Sequence, residues 1–209
     1  GVSLGKALDF FRSKAQELFP KGFYINYAGE SRQYIQGGNA LLLALFFALI
    51  IIFLVLAAQF ESWRDPLVIL VSVPLAFCGA LIPIFLGAAS INIYTQVGLL
   101  TLIGLISKHG ILMVDFANKW QIQSGCTKRE AIEHAAAVRL RPILMTTAAI
   151  VLSVIPLLLA SGAGAVSRFD IGLVVSCGMT MGTFFTLFVV PTMYTFFART
   201  HHPDPEQFL

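Results

Sequence analysis

The chain has 209 residues, of which 57% are hydrophobic and 12% are charged, and its mean hydropathy is +0.80. Soluble domains carry about 25% charged residues, so this composition indicates a membrane protein. The net charge of +3 is small and no basic patch is interleaved with aromatic residues, which argues against nucleic-acid binding.

The N-terminal segment, residues 1–38, is more polar than the rest. Apolar residues recur at helical spacing over residues 3–18 and predict an amphipathic helix. Pro20 ends it, and the alternating FYINY of residues 23–27 predicts a β-strand. A lone helix and strand cannot form a core, so we interpret them as the tail of a larger water-exposed domain, with a surface-lying anchor as the alternative. Because no signal-peptide pattern follows Gly1, we also expect the chain to be part of a longer protein.

Five apolar stretches follow, each long enough to cross a hydrocarbon core of roughly 30 Å. The predicted spans cover residues 40–59, 66–86, 93–118, 142–160 and 170–198. The polar connection before the fourth span contains Thr127 and Glu130 in a capping-box pattern, which predicts a further amphipathic helix. The sequence therefore predicts an all-α membrane bundle over residues 39–200 and a polar tail at 201–209.

Basic residues are concentrated on one side of the predicted bundle. They are Arg64, Lys119, Lys128, Arg129, Arg139, Arg141 and Arg199, whereas the short loops on the other side contain only Arg168. Because the basic side of a membrane protein faces the cytoplasm, we expect this side and the C-terminus to be cytoplasmic. With an odd number of spans, we expect the N-terminal segment on the opposite side, in a periplasmic or equivalent compartment.

Lys108 lies in the middle of the third span, GLLTLIGLISKHGILMVDFAN. A cation at the bilayer centre costs about 2.5–3.5 kcal/mol on insertion scales, and snorkelling requires a nearby interface. We therefore favour a functional intramembrane ion pair over a structural lysine. No carboxylate of this chain is predicted at the same depth, so we expect the partner of Lys108 on a segment outside this chain.

Other polar positions near these spans are weaker candidates. Asp115 follows Lys108 by seven residues on nearly the same face, and a relay role and an interfacial or capping role are equally compatible with it. Arg139 and Thr146 are also seven residues apart, at the mouth of the fourth span. The arginine can simply follow the positive-inside rule, and such threonines usually bond to their own helix. We interpret His109 as a packing or hydrogen-bonding residue rather than a relay group.

Asp170 lies at the outer end of the last span and is predicted to pair locally with Arg168. No nucleophile–base pair, metal-ligand spacing or phosphate-binding loop is recognisable in the sequence. We therefore expect neither an enzyme nor a metal site.

Four long segments together carry a family resemblance. They are YAGESRQYIQGGNALLLALFFALIIIFLVLAAQFESWRDPLVILVSVPLA, GLLTLIGLISKHGILMVDFAN, RLRPILMTT and VVPTMY. In this order and spacing they closely resemble the C-terminal half of the resistance-nodulation-division (RND) multidrug efflux permeases, hydrophobe/amphiphile branch. The resemblance implies helices eight to twelve of a twelve-helix permease of the bacterial inner membrane, preceded by the tail of its last periplasmic porter subdomain.

The resemblance also implies a function. Members exchange protons for drugs, driven by the proton motive force without a cofactor, as homotrimers with a periplasmic adaptor and an outer-membrane channel. Matching positions make Lys108 and Thr146 proton-relay residues and Arg139 the arginine that precedes the relay threonine. The two relay aspartates would lie on the fourth helix and the drug pockets in periplasmic domains, both outside this chain, so no substrate-binding residue is assigned. The alternatives are export of another cargo such as metal ions, or a non-transporting truncated remnant.

Overall fold

The computed structural model describes residues 4–20 and 22–198. Its described part is helical: α1 Leu4–Leu18, α2 Glu30–Phe60, α3 Arg64–Leu70, α4 Ser72–Phe85, α5 Ile93–Ser124, α6 Lys128–Leu158 and α7 Ala165–Phe197. Only Val71 separates α3 from α4, and the two form one apolar stretch, so five units are long and apolar enough to cross a membrane. The prediction of an all-α bundle with five spans is confirmed over this part of the chain. The predicted tail at 201–209 lies outside the described residues.

The predicted β-strand at residues 23–27 is wrong, because no strand occurs anywhere in the described ranges. These residues have no regular secondary structure, and Phe23 and Tyr24 are 70% and 93% exposed. An alternating pattern becomes a strand only when a second strand accepts its backbone hydrogen bonds. The described residues contain no second strand, so this segment forms no β-sheet hydrogen bonds.

The helix boundaries differ from the predicted spans mainly in α6 and α7. The predicted amphipathic helix and the fourth span form one continuous helix, α6, which passes through Pro142 without ending. The predicted capping box is present, since Thr127 Oγ1 accepts from the Glu130 amide and the Glu130 side chain accepts from the Thr127 amide. Helix α7 begins at Ala165, several residues before the predicted start.

Helix α7 lies at the centre of the bundle and packs against α3, α4, α5 and α6. Gly178 and Gly182 allow a close approach of its neighbours. A Cβ at Gly178 would lie 2.4 Å from the Leu102 side chain of α5, and one at Gly182 would lie 2.5 Å from Ile106. The close approach that we expect from two glycines four residues apart is therefore present.

Helix α2 is at the edge of the bundle, with only 6% of its apolar window buried. Its outward face exposes large apolar side chains, among them Phe46, Phe47 and Ile51. A membrane helix with such a face contacts lipid or another protein surface.

Candidate functional site

Lys108 lies near the middle of α5 and is exposed on the surface of the bundle, whereas its neighbours Ser107 and His109 are 3% and 1% exposed. Helix α5 thus turns these neighbours into the bundle and leaves the lysine on the outside. Within residues 4–20 and 22–198, no carboxylate forms an ion pair with Lys108. The ammonium group therefore lies on the surface of the described bundle without an ion pair.

His109 contacts the candidate relay threonine directly. Its Nε2 atom lies 3.2 Å from Thr146 Oγ1, which joins α5 to α6. Thr146 Oγ1 is also 3.1 Å from the carbonyl oxygen of Pro142 and 3.0 Å from that of Ile143. The bond to its own helix is the behaviour usual for a threonine, and the bond to His109 is additional.

The next threonine, Thr147, makes a different contact. It is buried, and its hydroxyl lies 2.9 Å from the hydroxyl of Thr183 on α7. The two adjacent threonines therefore join α6 to two different helices, so each can be changed as a control for the other.

Asp115 is paired on its own helix. Its carboxylate lies 2.8 Å from Lys119 Nζ, one turn further along α5, and the two side chains are 35% and 67% exposed. An exposed pair of this kind contributes little to stability. The contact matches the interfacial interpretation of Asp115 and supplies no link to Lys108.

Arg139 is packed on aromatic rings rather than on a carboxylate. Its guanidinium carbon lies 4.9 Å from the centre of the Phe116 ring, a cation–π distance. Phe116 stacks on Trp120 and on His134, and the Trp120 and His134 rings are 4.1 Å apart. We call these four residues the α5–α6 stack. The stack holds the Arg139 cation near the polar connection between the C-terminal end of α5 and the N-terminal end of α6.

A buried polar network links α3, α5 and α7. Asp65 is 0% exposed, and its Oδ2 accepts from Asn118 Nδ2 at 3.0 Å. Asn118 Oδ1 in turn accepts from the hydroxyl of Tyr194. Asp65 Oδ1 has no hydrogen-bond partner within the described ranges. Asp65 belongs to the short turn between the first two predicted spans, and its sequence context gives no sign of burial.

The predicted pair of Asp170 and Arg168 is wrong. Asp170 is 2% exposed and accepts a hydrogen bond from the side chain of Asn92 at the start of α5. Arg168 donates instead to the carbonyl oxygens of Ser161 and Ala163. Residues two apart on a helix lie on different faces, so Asp170 turns into the bundle and Arg168 turns out of it.

The bundle therefore brings Thr146 together with His109, holds Arg139 on the α5–α6 stack, and keeps Asp115 on Lys119. Lys108 lies on the surface of the bundle and forms no ion pair with a carboxylate of the described residues. In the described part of the chain, no three His, Cys, Asp or Glu side chains are grouped as metal ligands would be.

Comparison with known proteins adds a family match. The sequence model of the AcrB/AcrD/AcrF family matches residues 1–198. An uncharacterized transporter of Haemophilus influenzae is 53% identical over 211 residues, which cover 98% of this chain and 20% of the relative. Multidrug resistance protein MdtF of Escherichia coli is 39% identical over 93% of this chain and 19% of its own length. Toluene efflux pump membrane transporter TtgB of Pseudomonas putida is 40% identical over 93% of this chain and 18% of its own length. The chain thus spans about a fifth of the length of these curated relatives.

Proposed function

Because the chain belongs to the AcrB/AcrD/AcrF family of RND transporters, we propose that it carries the cationic half of the proton relay of a multidrug efflux permease. It is a multi-pass membrane protein of a transporter family and not an enzyme. In the proposed function the chain forms helices eight to twelve, and the proton motive force drives drug export without a cofactor.

One observation carries this proposal. Lys108 is exposed in the middle of a membrane helix, and no carboxylate among the described residues pairs with it. An ammonium group in hydrocarbon keeps its charge only beside an opposite charge. The relatives are about five times as long as this chain, so the remaining length of such a transporter has room for the carboxylate that the proposal requires opposite Lys108.

The proposed mechanism is electrostatic. Two aspartates on the N-terminal half pair with Lys108 while they are ionised. When they take up protons, Lys108 loses its counter-charge and turns to another acceptor, and the helices shift as the ion pairs rearrange. Thr146 and Arg139, both on α6, form the rest of the relay on this side. Asp115 has at most a secondary relay role, because Lys119 already neutralises it.

The proposed setting follows from charge and family. The basic connections and the C-terminus face the cytoplasm, and residues 1–38 belong to the tail of a periplasmic porter subdomain. The intact permease is a homotrimer in the bacterial inner membrane, in contact with lipid, a periplasmic adaptor and an outer-membrane channel. The names of the relatives, which include multidrug and toluene efflux pumps, favour organic compounds as cargo.

Two alternatives remain distinguishable. An exporter of metal ions needs methionine or carboxylate ligands along its route, and the five methionines of this chain show no paired pattern. A non-transporting remnant needs no counter-charge for Lys108. A coding sequence upstream of residue 1 that contains a helix with two aspartates would support the permease, and its absence would support the remnant.

The proposed function is tested by Lys108→Ala in the full-length transporter that contains this chain. We expect drug efflux to fall to the level of cells without the transporter, since the aspartates lose the cation that responds to their protonation. Expression and trimer assembly should be unchanged, because Lys108 makes no ion pair within the described bundle.

Lys14→Ala is the matched control. Lys14 is exposed on α1 and pairs with Glu17, so its loss should leave efflux intact. Wild-type resistance of the Lys108→Ala transporter at normal expression would refute the proposal.

A further inference from the structure

A side-chain hydrogen bond between His109 on α5 and Thr146 on α6 lies beside the proposed relay. His109 Nε2 is 3.2 Å from Thr146 Oγ1, and the histidine is 1% exposed. His109 directly follows Lys108, so one turn of α5 carries both the relay lysine and the side chain that touches the relay threonine.

The count of hydrogen atoms decides which group donates. A threonine hydroxyl has one hydrogen, and Thr146 Oγ1 lies within 3.1 Å of two carbonyl oxygens of its own helix, those of Pro142 and Ile143. Carbonyl oxygens only accept, so the hydroxyl hydrogen belongs to one of these bonds. Thr146 Oγ1 then accepts from His109, which requires the hydrogen of the imidazole ring to be on Nε2.

The opposite tautomer is worse on two counts. With the hydrogen on Nδ1, Thr146 would have to donate to Nε2 and give up the bond to its own helix. The buried Nδ1–H group would also have no acceptor, since Nδ1 has no hydrogen-bond partner in the described part of the chain. A buried N–H group without an acceptor is rare in proteins.

We propose that His109 is a positioning residue for Thr146. Its Nε2–H group holds the Thr146 oxygen as an acceptor, which points the hydroxyl hydrogen at α6 and leaves one oxygen lone pair open to a cationic donor. The role depends on the proposed relay function of Thr146. The hydrogen bond and the tautomer do not depend on it, and they can be measured separately.

The first test needs no transport. The full-length transporter is labelled with ¹⁵N-histidine and studied by solid-state NMR in lipid, with the His109 signal assigned by its loss in His109→Gln. We expect the Nε2–H tautomer and a changed signal in Thr146→Val. Thr147→Val is the matched control, because Thr147 bonds to Thr183 and should leave the His109 signal unchanged. An Nδ1–H tautomer, or no response to Thr146→Val, would overturn the assignment.

The second test compares two replacements of His109 in the same transporter. His109→Gln places an amide N–H donor close to the former Nε2 position, so it should restore most of the efflux and keep the wild-type pH profile. His109→Leu fills similar space without a donor and should lose most of the efflux.

Each other result overturns the inference. Wild-type efflux in His109→Leu would mean that the ring only packs. Equal loss in His109→Gln and His109→Leu would mean that the donor is not what matters. If His109→Leu does not assemble, the NMR experiment decides. Failure of the relay itself is separate, since it appears as normal efflux in Lys108→Ala whatever the His109 variants do.

Discussion

At the scale of single residues, some polar side chains of this bundle have hydrogen-bond partners among the described residues, and Lys108 has no ion-pair partner there. Asp65, Asn118 and Tyr194 are buried and bonded to one another, whereas Lys108 is exposed and makes no ion pair in the described ranges. A buried polar group is stable only when it is bonded, so the first three hold the fold together. Lys108 lies on the surface of the bundle, outside this core.

The Asp65 network predicts a graded loss of stability. Asn118→Ala leaves the Asp65 carboxylate and the Tyr194 hydroxyl without their bonds, and should cost about 1–3 kcal/mol or more. Tyr194→Phe removes only one bond and should cost about 1 kcal/mol. Thermal unfolding of the chain in detergent, with Asn26→Ala as an exposed control, measures both. Equal unfolding temperatures for Asn118→Ala and the control would contradict this structural role.

At the scale of helices, hydropathy and capping patterns predict the elements well, because they depend on residues close in sequence. The five spans and the capping box at Thr127 were found in this way. The predicted strand at residues 23–27 is wrong, since strand formation depends on a partner strand that can be distant in sequence. The continuity of α6 through Pro142 was also missed, because neighbouring helices in a membrane bundle compensate for a proline.

The side-chain contacts between helices could not be predicted from the sequence. Thr146 and His109 are separated by 37 positions, and Tyr194 and Asn118 by 76. Periodicity shows which face of a helix is polar but not the height at which two helices meet. Lys108 is recognisable from the sequence because the free-energy cost of a cation within an apolar span depends only on the residues around it. The contacts of His109 and Asp65 depend instead on the register of α5 against α6 and α3.

The close packing of α7 predicts that replacing its glycines by larger residues destabilises the bundle. Gly182→Ala would place a Cβ 2.5 Å from the Ile106 side chain and 2.8 Å from that of Ala76, so overpacking should cost about 1–3 kcal/mol. Gly104→Ala on α5 is the control, because a Cβ added there would meet no atom of a neighbouring element within 4 Å and alanine favours the helix. The unfolding temperature of each variant tests this. A neutral Gly182→Ala would show that α5 and α4 can move away from α7.

At the scale of the whole molecule, the bundle has a well-packed centre at α7 and two faces without partners in the described part of the chain. One is the apolar face of α2, and the other carries Lys108. The chain spans about a fifth of the length of its curated relatives. On the proposed function, the second half of the relay must come from elsewhere in the permease.

We therefore expect the 209-residue chain alone to be unable to couple protons to export. Proteoliposomes that contain it should show no substrate-dependent proton flux, since no carboxylate of the described residues pairs with Lys108. The full-length transporter in the same lipid is the positive control. Substrate-dependent flux from the short chain would contradict a relay divided between two halves.

The α5–α6 stack has an optical consequence. Trp120 is one of two tryptophans in the chain, and its ring lies 4.1 Å from that of His134 on the neighbouring helix. Indole emission depends on the groups that contact the ring, so a separation of the two rings should change the emission of Trp120. With Trp63 replaced by phenylalanine, the emission of Trp120 therefore reports the distance between α5 and α6 in real time, without an added dye.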